Sequence, residues 1–528
     1  MPCSPNDLFI AKDKRHARPQ AATSANVYQR FIGRIVSMIK KSSTAALLLC
    51  ALSGPYAASS ATLVVNSAAD TFDPASDCSV SCTLREAIEL SSLNGKITFA
   101  PAMLPAVISL EYGALTPFAV TIEGPGASLL AIDAHLSDRV VRVFQNAGTV
   151  TISGVALING RTVGAPGADG AAASAASGGK GADAFGGCIL VDQMAPSTGP
   201  TVKLIGVTLR NCTAQGGVGG RGGSGLSSAA KAGGTGGAGG VGGVAAGGAI
   251  YAGFQSDVRL EQTSIIDAHV IGGAGGKGGD GGVGDPFRGN GGGGGVGGQG
   301  RGGAIYLSVV KQFRATNVTV ADADAQGGKG GNGGGGDPDF QLSQGGAGGN
   351  GGDAHGGLFV GYGGSLNVFQ FATLGEGVVT PGLHGSGGRS AIAGIGGQDG
   401  AASVPAVQVV IPNPSAQGLY PTYLLRSAVF ATSAAPVCEG QGFLQATNSF
   451  ASDGSCAATA AGDLDSWFKP LTLASDVPAY VPRFGRGAID ATDCVAVPGD
   501  LLATPRPQGV ACDIGAIEAD YIFVGEFD

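Results

Sequence analysis

The feature that most constrains this chain is a unit that recurs four times between Gly186 and Gly382. Each copy opens on a glycine pair and a short apolar run: Gly186-Gly187-Cys188-Ile189-Leu190, Gly247-Gly248-Ala249-Ile250-Tyr251, Gly302-Gly303-Ala304-Ile305-Tyr306 and Gly356-Gly357-Leu358-Phe359-Val360. An alternating apolar run follows (202–209, 258–266, 313–320, 366–374), and the copies close on Gly216, Gly272, Gly327 and Gly382. From the second opening glycine to the closing glycine is 24 residues in the second and third copies. Strands this short cannot bury an apolar face alone, so the units must stack. The spacing suits one coil of a mainly β, right-handed, single-stranded parallel β-helix, a solenoid whose coils pair at about 4.8 Å.

Glycine-rich tracts of roughly 30 residues separate the coils and read as loops thrown out between stacked units. They run as Gly-Gly-x, for example GGAGGKGGDGG from Gly272 and GGKGGNGGGG from Gly327. Two readings stand side by side. One is a flexible linker. The other is a set of polyproline-II-like legs, with three residues per turn and no internal hydrogen bonds, packed against one another with the third residue on one face. Gly275 to Asp280 and Gly348 to Asp353 also fit the Gly-Gly-x-Gly-x-Asp opening of a calcium-binding nonapeptide. That motif then needs an apolar residue, and Gly282 and His355 stand there instead.

The first 60 residues read as a leader: Lys40 and Lys41 precede an apolar run from Thr44 to Leu52 and small residues from Ala57 to Ala61. Met38 is the natural start of that signal, and the run is too short to span a membrane. Residues 1–58 carry eight Lys/Arg and two Asp/Glu, so the remainder holds 23 basic and 37 acidic residues, a net charge of −14. That balance argues against binding nucleic acid through phosphates. Beyond the leader the cysteines number eight, an even set that in an exported chain suggests disulfides. Pairing in chain order is the expectation: Cys78 with Cys82, Cys188 with Cys212, Cys438 with Cys456, Cys494 with Cys512. Connectivity does not follow from sequence, but Cys188 and Cys212 lie 24 residues apart, about one coil.

Thr83 and Glu86 have the spacing of a capping box, and Leu84, Ala87 and Ile88 then share one face, which predicts a short helix that covers the open first coil. Cys82-Thr-Leu-Arg-Glu-Ala-Ile88 resembles the CSLREA motif of exported β-helix proteins, and the glycine-pair openings resemble repeats of polymorphic outer-membrane adhesins. Gly487-Ala-Ile-Asp490, Cys494, Arg506-Pro507 and Ala511 to Glu518 resemble the choice-of-anchor Q region of secreted or surface β-helix proteins. That family's Asp-Gln-Arg-Gly is absent, since Leu501 follows Asp500. The end from Ile522 is similar to a short tail of exported bacterial proteins. The resulting plan is a leader at 1–60, N-terminal coils with their cap at 61–160, coils with glycine inserts at 161–420, an anchor-type β-helix end at 421–519, and a tail at 520–528.

Counting back five residues from the closing glycines finds Asn211, Asp267 and Asp322, and three residues back stand Thr213, His269 and Asp324. If the coils stack, Asp267 lies over Asp322. One reading is a turn ladder, in which side chains bond the backbone of tight bends. The other is the carboxylate pair of a retaining glycosidase. Asp267 and Asp322 are thus the catalytic candidates, but the Asp-Asp, Gly-His-Gly and Arg-x-Lys signatures of pectinase-like hydrolases are missing. His135 reads as a turn residue, and the single Trp467 offers no aromatic platform for sugars. The expectation is an exported, secreted or bacterial cell-surface protein with a structural or adhesive role toward an extracellular protein or polysaccharide. It needs no metal and no cofactor. A polysaccharide lyase or glycoside hydrolase, and a calcium-binding surface-layer protein, are the alternatives.

Overall fold

The computed structural model describes residues 62–519, except 74, 92, 193–198, 340–342, 365, 399, 401, 404–406, 411–421, 432–436, 441–442, 461, 463–465, 473–476, 485 and 495–496. The expected leader and tail lie outside the described residues. No helix among these residues is long and apolar enough to cross a membrane.

The chain is a parallel β-helix. Its long sheet has 19 strands and its narrow sheet seven, and both pair in parallel, coil upon coil. In each repeat the narrow strand (Ile189–Val191, Ile250–Ala252, Ile305–Ser308, Phe359–Tyr362) comes directly after the opening glycines. The alternating run forms the long strand, as in Asp257–Ile271 and Gln312–Gln326. Alternation turns Val258, Leu260, Ile265, Ala268 and Val270 inward, where they are buried. Toward the C-terminal coils the filling becomes aromatic: Phe313, Phe359, Phe369 and Phe430 lie with successive ring centroids 5.2–5.8 Å apart.

The long strand bends twice, and each bend is a column of left-handed residues. One column is Gly206, Gln262, Asn317, Phe371 and Ser427; the other is Asn159, Asn211, Asp267, Asp322 and Glu376. A third column, Gly186, Gly247, Gly302 and Gly356, turns the chain into the narrow strand. Side chains crowd there, as the Cβ of an alanine at Gly247 would overlap the Ile250 carbonyl.

The helix at Leu84–Leu90 carries the expected capping box, and Leu84, Ala87 and Ile88 are buried against the first coil. All four disulfides pair in chain order. The C-terminal region departs from a simple run of coils. Parallel pairing continues to Thr459–Ala460. The chain from Trp467 to Glu518 then turns back along the outer side of the long sheet. Ser264 Oγ donates to the Pro478 carbonyl at 2.6 Å, Gln262 Nε2 to Asp500 O at 2.7 Å and Asn317 Nδ2 to Gly499 O at 2.6 Å. Phe468, Tyr480 and Ile514 cover Ile266, Ala321 and Val429, apolar residues that face out of the coil. Within this strap the motif residues form a clamp. Buried Arg506 pairs with Glu518 at 2.6 Å, donates to the Asp513 and Gly515 carbonyls, and lies over the Phe371 ring at 4.3 Å.

Candidate functional site

The glycine tracts are ordered legs. Each coil sends out one leg and takes back another, giving a layer of outgoing legs beside a layer of returning ones. The first glycine of a triplet donates within its layer, as Gly219 N–H does to Ala274 O at 2.8 Å; the second donates across layers, as Gly220 N–H does to Gly179 O at 2.9 Å. This three-residue repeat, with its bonds between legs, is that of packed polyproline-II-like helices. The linker reading is thereby replaced. Glycine is required because a Cβ at Gly276 would run into the Gly220 carbonyl, and one at Gly275 into Gly295. Outward third residues carry the variety.

The N–H of the third residue points away from both glycine bonds. Asp or Asn on the preceding leg of the same layer accepts it. Asp169 takes Arg221 N–H, Asp183 takes Val244, Asp280 takes Gly335, Asn290 takes Gln344, Asn332 takes Ser386 and Asn350 takes Gln398, at 2.7–3.0 Å. The nonapeptide-like Asp280 is therefore a bridge between legs, and Asp353 accepts from Gln299 Nε2 at 3.1 Å. No cluster of three or more metal-ligating side chains with a cation-holding arrangement occurs among the described residues.

The two faces of this bundle differ. The outgoing face bears Asp169, Arg221, Lys277, Asp280, Lys329 and Arg389. On the returning face, the only charged third residues among those described lie on the first leg, where Lys180 pairs with Asp183 at 2.8 Å, and at the foot, where Asp353 stands. Over its second to fifth legs the exposed third residues are Thr235, Ala238, Val241, Asn290, Val296, Gln344, Ala347, Asn350, Ile392, Ile395 and Gln398. They form an array of uncharged side chains on a hydrogen-bonded backing.

The catalytic candidates fall into the second bend column. The ladder begins with amides, Asn211 Nδ2 donating to Asn159 Oδ1 at 2.7 Å and Asn159 Nδ2 to Asp133 Oδ1 at 2.9 Å. It continues into Asp267 and Asp322, both with left-handed backbone. Two ionised carboxylates, unlike two amides, have no hydrogen to donate to each other, and they repel. His269 supplies the positive charge: its Nε2 meets Asp267 at 2.8 Å and its Nδ1 meets Asp324 of the next coil. The Asp324 hydrogen bond, then the charges of Asp324 and Asp267 against burial, raise the His269 pKa from 6.5 to about 9. Burial, and then the nearby Asp267 charge, push Asp322 above the usual carboxylate range. The sequence placed these residues in columns but gave His269 no role. His135 sits in a turn, its N–H bonded to Asp133 at 2.7 Å, and Trp467 packs on Phe450 at 4.7 Å.

No protein-family model and no curated protein matches this chain. Two solved structures do. The crystal structure of pectate lyase Pel9A aligns over 87% of this chain and 97% of its own, at 12% identity and a TM-score of 0.26. A nine-helix polyproline type II bundle, the springtail antifreeze protein from Granisotoma rainieri, aligns over 46% of this chain and 96% of its own, at 22% identity and a TM-score of 0.10.

Proposed function

We propose that this chain is an exported, non-catalytic binding scaffold with an adhesive or structural role, whose β-helix presents the glycine bundle to an extracellular protein or polysaccharide. The observation that supports it is the uncharged returning face. In a chain this acidic, an even field of Thr, Ala, Val, Asn, Gln and Ile backed by interlocked glycines is a pre-organised surface with no charge to desolvate on contact. The test is adsorption of the leader-free protein to intact cells and to insoluble polysaccharides, alongside Val241→Lys/Val296→Lys. Both positions are exposed, so the variant should keep its melting temperature and lose at least tenfold in adsorption. Equal adsorption would remove the returning face from the reading.

A carbohydrate-active enzyme is the second reading, favoured by one observation. Burial, and then the neighbouring Asp267 charge, raise the Asp322 pKa, which is the direction a general acid needs. Wild type and Asp267→Asn/Asp322→Asn would be assayed on a polysaccharide panel for reducing ends and unsaturated products. Activity that vanishes in the folded variant establishes the enzyme; none in either supports the scaffold.

A further inference from the structure

A cleft of about 520 Å³ lies where the C-terminal strap crosses the long sheet. Its floor is built from outward side chains of successive coils: Arg259 and Arg314 in one row, and Glu261, Thr316, Gln370 and Arg426 in the next. Gln262 and Asn317 wall one side, and Val497 to Gly499 form the lip. A smaller cleft of about 280 Å³ continues it past Gln370 and Arg426 to Asp493.

The arginines differ in how their charge is met. Asp257 and Gln312 occupy the same register position on neighbouring coils, two residues before Arg259 and Arg314. Arg259 bonds Asp257 through Nε and Nη2 at 3.1 and 2.7 Å, and its charge is neutralised. With the Gln312 amide turned to present its oxygen, Arg314 makes the same two bonds at 2.6 and 2.8 Å, but to a neutral group. Arg314 is therefore held in place with its charge unspent. Arg426, exposed two coils further on, makes no ion pair among the described residues. Coil stacking puts that step at about 10 Å along the groove. The acids facing the clefts are Glu261, beside Arg259, and Asp493 at the far end. Asn317, only 4% exposed, gives its Nδ2 to Gly499 and so ties the lip of the cleft to its floor.

We propose that this groove binds an extended, unsulfated polyuronate, with sugar carboxylates on Arg314 and Arg426 and hydroxyls on Gln370 and Thr316 between them. A planar guanidinium fork matches a carboxylate with two parallel bonds. Amide and hydroxyl side chains both donate and accept, as sugar hydroxyls do. An acidic peptide fits less well. The groove's floor is the face of a sheet whose strands are already paired, and among the described residues its apolar lining is limited to Val497, Pro498 and, in the smaller cleft, Phe371.

The experiment measures binding of the leader-free protein to polygalacturonate, alginate, dextran, heparin and poly-glutamate, at low and high salt. Wild type should bind the two polyuronates, weaken with salt and ignore dextran. Arg314→Gln/Arg426→Gln should lose at least tenfold with unchanged melting, and Glu261→Gln should gain severalfold. Val241→Lys/Val296→Lys should bind polyuronate as wild type does, which separates this groove from the returning face. The inference is overturned by binding indifferent to the two arginines, by dextran bound equally, by no polyuronate binding, or by preference for heparin or poly-glutamate.

Discussion

His269 ties two coils together, holding Asp267 of its own coil through Nε2 and Asp324 of the next through Nδ1. The pairing makes a signed prediction. A histidine whose folded pKa, about 9, exceeds its unfolded 6.5 contributes stability that is complete below 6.5 and lost as pH rises through 9. The melting temperature of wild type should fall from pH 6.5 to 9.5 by more than that of His269→Gln. The ring is 34% exposed, so solvent screening keeps the difference small. Parallel melting curves for the two proteins would remove His269 as the clamp.

Asp322 runs the other way. Its native pKa is raised, so its ionisation weakens the fold as pH rises past its unfolded value of 3.8. Asparagine at 322 carries no charge and brings an amide donor beside the Asp267 carboxylate. Asp322→Asn should melt higher than wild type at pH 7 and match it near pH 3. A lower melting temperature at pH 7 would show that the carboxylate is needed where it stands.

The glycine bundle predicts a contrast between neighbours. Gly276→Ala drives a methyl group into the Gly220 carbonyl and should cost about 1–3 kcal/mol, as overpacking does. Lys277→Ala, one residue on and facing solvent, should change stability by about 0.5 kcal/mol or less. Denaturant unfolding of both, with hydrogen exchange across residues 272–284, reads the difference.

The bridges between legs are tested one at a time. Asn332→Ala removes the acceptor for Ser386 N–H and should cost about 1 kcal/mol. It should also speed exchange at the Ser386 amide while that at Gly385, bonded to Gly349, stays slow. Asn332→Asp keeps an oxygen at that place and should protect Ser386.

The disulfide between Cys188 and Cys212 joins the start of a narrow strand to the long strand 24 residues later, across one coil. Replacing both with serine should cost about 2–4 kcal/mol, chiefly by releasing the unfolded chain. Denaturant midpoints of the variant and wild type measure it.

The sequence by itself determined the coil, its period, its first helix and the composition of its turns. Each is written in neighbouring residues. Alternation sets which side chains enter the core, a glycine pair marks a bend, and Thr83 with Glu86 starts a helix. The three-residue glycine period also announced packed legs, although it left a linker open, because whether glycine orders depends on what its carbonyls meet. Tertiary structure decided the rest. His269 finds Asp324 from 55 residues away, Asn332 finds Ser386 from 54, and Gln262 finds Asp500 from 238. The neutral returning face, the outward Ile266 beneath the strap, and the arginine whose partner is Gln312 rather than an acid all emerge only when coils come into register. Stacking at about 4.8 Å turns a once-per-coil position into a row of adjacent side chains. That adjacency belongs to the register and not to any local pattern of residues.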